Sequence, residues 1–142
     1  MKKLLKFLGI LCLIFSAFSF DVKENDWKVY FENDEIKIES KSLFCDKPTI
    51  DIHNSYVVLK ITNKTNQSVS VSFNKELWYN DVCTSCNELK EFTTVVTLSP
   101  NEILEANCDS KTKELKIFQS HSESKKRLSK FELKKIEVTL KK

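Results

Sequence analysis

Residues 77–86 read Leu-Trp-Tyr-Asn-Asp-Val-Cys-Thr-Ser-Cys and separate two stretches in which apolar and polar side chains alternate. In the preceding stretch the apolar members are Val69, Val71 and Phe73, and the following stretch covers residues 92–98. A period of two is typical of strands with one buried face. The sequence therefore predicts that a Cys-x-x-Cys loop, crosslinked or metal-bound, joins two β-strands beside a Trp-Tyr pair.

Residues 1–19 have the features of an export signal. The start is basic, residues 7–15 are apolar apart from Gly9, and Ala17-Phe18-Ser19 places small residues on either side of Phe18 for a cleavage site. The apolar run is shorter than the roughly 20 residues that span a bilayer core. We therefore expect a cleaved signal-peptide helix, not a membrane anchor, followed by one domain over residues 20–142. Acylation of Cys12 is disfavoured because Leu11 precedes it, where a lipoprotein signal needs a small residue.

The net positive charge of the chain is carried by the predicted signal peptide and not by the domain that follows it. Loss of Lys2, Lys3 and Lys6 reduces the 23 basic residues to a number equal to the 20 acidic ones. Arg127 is the only arginine, which disfavours bidentate recognition of phosphates or bases. The sequence therefore predicts no nucleic-acid partner. The abundance of Lys, Asn and Ile, together with the Met-Lys-Lys start, suggests a bacterium, and the export signal then predicts a periplasmic or extracellular protein.

Alternation predicts a series of short strands along the domain. The hairpin at residues 27–38 turns at Asn33-Asp34, and residues 40–48 are expected to form a loop that carries Cys45. Further strands are expected at 49–53, 57–61, 69–78, 92–98, 103–108, 115–119 and 131–140, with a β-bulge at Lys134-Lys135. Strands of this length and spacing predict an all-β, antiparallel sandwich of about seven to nine strands.

The stretch Val-Val-Leu-Lys-Ile-Thr-Asn at 57–63, the polar turn after it, the next alternating strand and the Pro100-Asn101 turn resemble one known architecture. They are similar to the immunoglobulin-like sandwich modules of uncharacterised exported bacterial proteins. The resemblance covers roughly residues 26–140 and implies an immunoglobulin-like fold. It implies no activity.

Glycine content limits the possible functions. The only glycine is Gly9, so the domain after the signal has none. Phosphate-cradling loops and dinucleotide fingerprints use glycine for close backbone approach, and the nucleophile elbow of serine hydrolases uses it for a strained turn. The sequence therefore disfavours these classes and predicts no cofactor.

Four cysteines remain after the signal: Cys45, Cys83, Cys86 and Cys108. An even number in a small exported domain favours two disulfides with three possible pairings. Alternating strand directions bring Cys108 to the Cys-x-x-Cys end, which favours Cys83–Cys86 with Cys45–Cys108 over the two crossed pairings. A redox dithiol is a second interpretation. The third is a zinc site that uses Cys83, Cys86 and Cys108 with His53 or Cys45.

Other candidate groups favour binding over catalysis. Nothing in the sequence places His53 or His121 beside a nucleophile. Trp78 and Tyr79 could present an aromatic partner surface, and residues 125–142 carry eight basic and two acidic residues, which could attract acidic envelope polymers or lipid headgroups. We therefore expect a non-enzymatic binding or structural module whose partner is an unknown envelope protein or polymer. The alternative is a small secreted metal- or thiol-dependent protein that uses Cys83 and Cys86 with a histidine.

Export is expected with cleavage near Ser19-Phe20. Intact-mass measurement of the protein recovered from its native host checks this expectation, because the cleaved chain lacks residues 1–19. A mass that retains those residues would contradict export, and a lipid adduct on Cys12 would indicate a lipoprotein.

Overall fold

The computed structural model describes residues 26–50, 52–87 and 90–141. The predicted signal peptide at 1–19, and with it Cys12, lies outside this range. In the described residues the chain forms nine strands: β1 Lys28–Glu32, β2 Ile36–Lys47, β3 Ile52–Asn63, β4 Ser68–Tyr79, β5 Val82–Cys83, β6 Thr93–Leu98, β7 Ile103–Glu105, β8 Lys116–His121 and β9 Leu128–Lys141. Short 3-10 turns occur at Pro48–Ile50, Lys90–Phe92 and Lys113–Leu115.

The strands form two antiparallel sheets. The five-stranded sheet has the order β1-β2-β3, and β7 and β8 both pair with the far edge of β3. In the four-stranded sheet β4 is central, with β9 along one edge and with β6 and β5 along the other. The expected all-β class is therefore confirmed.

The two sheets share one hydrophobic core. Ile38, Leu59 and Ile61 of the five-stranded sheet and Val71 and Phe73 of the four-stranded sheet are all at most 1% exposed and belong to one cluster. A second cluster joins Val57 and Ile117 to Leu77 and Tyr79 nearer the Cys-x-x-Cys end. The alternating positions of the sequence are thus the ones that face the opposite sheet.

The expected loop at residues 40–48 is wrong, because β2 continues through Cys45 to Lys47 and pairs with β3 along its whole length. Alternation failed there because the inward positions are Ser40 and Ser42. These serines line an open cleft between the sheets and not the closed core. The separate strands expected at 49–53 and 57–61 are replaced by the Pro48–Ile50 turn and by a single long β3.

Asparagine and aspartate take the place of glycine in the tight turns. Asn80, Asp81, Asn87 and Asn101 have positive φ angles, which these short polar residues tolerate better than most. The fifth such residue is Lys135, with φ 50°. It lies in the β9 bulge, where the pairing with β4 shifts register between Ser72 and Asn74. The bulge expected at Lys134-Lys135 is therefore present.

The outer face of the five-stranded sheet carries a partly buried ion-pair cluster. Glu39 Oε2 lies 2.8 Å from Lys60 Nζ, and Glu39 Oε1 lies 3.1 Å from Lys37 Nζ. Trp27 covers this region, with the ammonium groups of Lys41 and Lys60 at 4.4 and 4.5 Å from its ring. Burial alone would raise the pKa of Glu39, but hydrogen bonds from Lys60 and Lys37 outweigh it and hold that pKa below its usual value.

We expect the substitution Glu39→Gln to lower the free energy of unfolding by about 1–3 kcal/mol, because it leaves two ammonium groups without their carboxylate partner. Because the pKa of Glu39 is depressed in the folded state, its contribution is present above the usual glutamate range and is lost as the pH falls through the folded-state value. Urea unfolding at neutral and acidic pH measures both effects. The matched control is Glu32→Gln, which breaks the more exposed Lys64–Glu32 pair and should cost less than about 1 kcal/mol. Equal losses in the two variants would contradict this assignment.

Candidate functional site

The Cys-x-x-Cys motif forms a turn against the edge of β4. Strand β6 pairs with β4 only as far as Asn74, and β5 pairs with it only at Trp78 and Tyr79. Ser85, which is 1% exposed, fills the gap: its hydroxyl accepts a hydrogen bond from Leu77 N–H at 2.9 Å and donates to the Lys75 carbonyl at 2.8 Å. The turn thus satisfies backbone groups that a neighbouring strand would otherwise pair.

The four described cysteines form two disulfides. Cys83 is bonded to Cys86, which closes the turn that presents Ser85. Cys45 of β2 is bonded to Cys108 in the connection between β7 and β8, with Cα atoms 5.5 Å apart. These are the two pairs that the alternating strand directions favour. Because β2 and β7 pair with opposite edges of β3, the second disulfide links segments on either side of that strand.

The residues of the alternative zinc site are not brought together. Cys83 belongs to β5 of the four-stranded sheet and is bonded to Cys86, whereas Cys108 is bonded to Cys45 of the other sheet. His53 lies near the start of β3, with its Nδ1 atom 2.7 Å from Asp46 Oδ1. Within the part of the chain that the structure describes, no group of three or more His, Cys, Asp or Glu side chains is arranged to hold a metal ion.

The Trp-Tyr pair is divided between the two faces of β4. Tyr79 is 9% exposed and packs in the core with Leu77, and its hydroxyl donates to the Phe118 carbonyl at 2.7 Å. Burial raises the pKa of this hydroxyl. Trp78 is half-buried on the outer face, opposite Cys83, with the Lys130 ammonium 4.5 Å from its ring. Of the two expected surface residues, the structure therefore leaves Trp78 accessible and uses most of Tyr79 in the core.

His121 ends β8 and also makes a local contact. Its Nδ1 accepts a hydrogen bond from Glu123 N–H at 3.1 Å, and its carbonyl accepts one from Arg127 Nη1 at 2.7 Å. The sequence placed His121 in the connection after the strand, and the structure extends β8 to include it. Both contacts shape the turn between β8 and β9.

That turn is bound to the β4–β5 turn by Asn80. The Asn80 side chain donates to the Lys125 carbonyl at 3.2 Å and accepts from Arg127 N–H at 3.0 Å, and Asn80 N–H donates to the Arg127 carbonyl at 2.9 Å. The Asp81 N–H donates to Ser129 Oγ at 2.9 Å. Sequence reasoning missed Asn80 and Ser85, because the groups that they bind are 45–47 residues and 8–10 residues away respectively.

A cleft of about 440 Å³ lies on another side of the molecule, between β2 and β9. Its lining includes Lys28, Ser40, Ser42, Val57 and Phe131. Next to it, the Tyr30 ring stacks on Phe131, and the Tyr30 hydroxyl accepts a hydrogen bond from Leu133 N–H at 2.8 Å. Tyr30 of β1 therefore connects the five-stranded sheet to β9, and next to this contact the cleft separates β2 from β9.

Comparison with known proteins gives no assignment: no protein-family model, no curated protein and no solved structure matches this chain. Among the described residues, no helix has the length and apolar character needed to span a membrane. A functional proposal therefore rests on the geometry of the Cys-x-x-Cys end and of the cleft between β2 and β9.

The two disulfides should differ in their effect on stability. Replacing Cys45 and Cys108 by serine opens a loop with a sequence separation of 63, and the loop-entropy relation gives a loss of about 4 kcal/mol. Replacing Cys83 and Cys86 opens a separation of 3 and should cost about 2 kcal/mol, together with a less ordered Ser85 turn. Thermal melting of the two double variants measures the difference. Peptide mapping without reduction checks the pairing itself, and a Cys45–Cys83 or Cys45–Cys86 crosslink would contradict it.

Proposed function

We propose that this chain is an exported, non-enzymatic module of the bacterial cell envelope that binds or supports a partner there. On this proposal residues 20–142 form the mature periplasmic or extracellular domain, with the immunoglobulin-like topology that the sequence resemblance implies. The partner is an envelope protein or polymer.

The observation that carries the proposal is the use of all four described cysteines as structural ties. One pair fixes the turn that caps β4, and the other anchors the β7–β8 connection to β2. Stable disulfides of this kind belong to oxidising compartments, where small domains use them to supplement their cores. A thiol nucleophile or a zinc-binding thiolate would need at least one of these cysteines reduced.

The histidines support a non-enzymatic role. His53 Nδ1 is 2.7 Å from an aspartate carboxylate and His121 Nδ1 accepts a backbone hydrogen bond, so neither of these contacts joins a histidine to a hydroxyl or thiol nucleophile. Two exposed features support binding: the open cleft between β2 and β9, and the turns at the Cys-x-x-Cys end with their exposed cations. Loop clusters held on a rigid sheet framework are common binding surfaces.

Thiol titration and zinc analysis of purified residues 20–142 test the proposal against the metal- or thiol-dependent alternative. We expect no free thiol under denaturing conditions and no bound zinc, because all four cysteines are oxidised. The reduced and denatured protein is the control and should give four thiols per chain. Four thiols without added reductant, with stoichiometric zinc, would overturn the proposal in favour of the alternative.

Fractionation of the native host tests the location independently. We expect osmotic shock or washing of intact cells to release the mature chain with envelope markers. Recovery of the full-length chain with cytoplasmic markers would contradict the proposal.

A further inference from the structure

Three consecutive cations occupy the exposed turn between β8 and β9. Lys125, Lys126 and Arg127, which we call the cationic turn, are all exposed. Among the residues that the structure describes, no carboxylate forms an ion pair with any of them. Lys130 and Lys134, farther along β9, differ because both pair with Glu132 and lower its pKa to about 2. The charge of the cationic turn is therefore available to an external anion.

The backbone of the cationic turn is held in place by the rest of the fold. Asn80 binds it with its side chain at both Lys125 and Arg127 and with its own N–H at the Arg127 carbonyl. Within the turn, Lys126 N–H donates to Ser124 Oγ at 3.0 Å. A turn that is already ordered loses less conformational entropy when it binds a ligand. The cationic turn is thus preorganised, unlike a mobile lysine-rich tail.

Two of the side chains also have defined positions. The Lys126 ammonium lies 4.2 Å from the centroid of the Tyr79 ring, which is anchored in the core. Arg127 uses Nη1 for both of its side-chain hydrogen bonds, to the carbonyls of His121 and Lys126. Within the described residues, its Nε and Nη2 donors make no hydrogen bond and remain able to bind an anion. A guanidinium presents its donors in a planar fork that matches phosphate oxygens.

Apolar surface lies at the same end of the sheet. Val82 pairs with Tyr79 on one side of β4. Leu128, the residue after the cationic turn, pairs with Tyr79 on the other side and packs against the core, so Val82 is the exposed member. Val82 is 65% exposed. A soluble phosphate makes no favourable contact with an exposed aliphatic side chain, whereas a lipid surface offers both anionic headgroups and an apolar boundary. Asp81 and Glu123 are also exposed here and oppose the attraction.

We propose that this end of the protein docks peripherally on a surface of anionic phospholipid headgroups, with the cationic turn on the phosphates and Val82 at the apolar boundary. The inference rests on the proposed export to the cell envelope and goes beyond the proposed function, because it gives the module a membrane leaflet as a binding surface in addition to an envelope protein or polymer. Each cation near an anionic surface strengthens binding by about fivefold. The three together therefore contribute about 100-fold, before the opposing effect of the two carboxylates.

Sedimentation of the oxidised mature protein with vesicles tests this proposal. The probe is a vesicle of equal parts phosphatidylglycerol and phosphatidylcholine, and vesicles of phosphatidylcholine alone are the neutral comparison. We expect the protein to bind the anionic vesicles, and we expect binding to weaken at 0.5 M salt by about tenfold or more because the Debye length shortens. The variant Lys125→Gln/Lys126→Gln/Arg127→Gln should lower the partition coefficient about 100-fold.

The matched control is Lys90→Gln/Lys111→Gln/Lys113→Gln, which removes the same charge from three exposed lysines outside the cationic turn. It should change the partition coefficient by less than about threefold, because these lysines lie outside the proposed docking surface. Thermal melting confirms that both variants are folded. Equal effects of the two triple variants would overturn the proposal, since they would show that net charge alone governs binding.

Two single substitutions test two other contributions to vesicle binding: the preorganisation of the cationic turn by Asn80, and the repulsion between Asp81 and the anionic headgroups. Asn80→Gly keeps a residue suited to φ 48° but removes both side-chain bonds to the cationic turn, and it should weaken vesicle binding about three- to tenfold. Asp81→Asn tolerates φ 65° and removes one opposing charge, so it should strengthen binding about fivefold.

Binding to sodium polyphosphate, a soluble polyanion, is measured as a comparison with vesicle binding. Binding to polyphosphate without binding to anionic vesicles would overturn the assignment to lipid. Failure of vesicle binding by a fully oxidised, exported protein would overturn this inference alone. Free thiols with bound zinc would instead overturn the proposed function.

Discussion

The fold depends on β3 being covered on both faces. Its inner face gives Leu59 and Ile61 to the core shared with the four-stranded sheet, while Val58, on the opposite face by alternation, is also 0% exposed. Trp27 and Tyr56 pack against the same cluster, so the outer face of this strand has a covering layer of its own. On each face, every Å² of apolar surface that is removed from water stabilises the fold by about 25 cal/mol. This explains the uninterrupted apolar run Val57-Val58-Leu59, which is typical of strands with two buried faces.

The connection between β7 and β8 exists in its present form because both strands share one edge of β3. β7 pairs with residues 60–62 and β8 with residues 54–58, so the chain between them, residues 106–115, must leave the sheet and return to the same edge. Cys108 anchors this connection to β2, and the Lys116 ammonium donates to the Cys108 carbonyl at 2.9 Å. The disulfide therefore constrains a segment that the sheet hydrogen bonds do not hold.

In the four-stranded sheet, side chains pair backbone N–H and C=O groups that have no partner in a neighbouring strand. Ser85 supplies the hydrogen bonds that no strand provides between β6 and β5, and Asn80 joins the two neighbouring turns. These contacts turn the Cys-x-x-Cys end into a rigid platform, with Trp78 and the cationic turn on its accessible surface. This end presents fixed charge, a half-buried aromatic ring and an exposed aliphatic side chain, which are the features on which the proposed binding role rests. Cys83 and Cys86 are bonded to each other and close the turn that presents Ser85.

The sequence by itself determined the all-β class, the strand that leads into the Cys-x-x-Cys motif and the bulge near Lys135, because local alternation or a break in it specifies each of them. It also determined the hairpin at Asn33-Asp34, where the Asn33 side chain accepts hydrogen bonds from the N–H groups of Glu35 and Ile36. Strand direction also favoured the two cysteine pairs. Only the tertiary structure decided that β2 runs through Cys45, since the polar Ser40 and Ser42 break the apolar pattern where the sheets separate. It also decided that Tyr79 is buried while Trp78 is accessible. The roles of Ser85 and Asn80 were likewise beyond the sequence, because hydrogen bonds between distant segments leave no periodic signal in the chain.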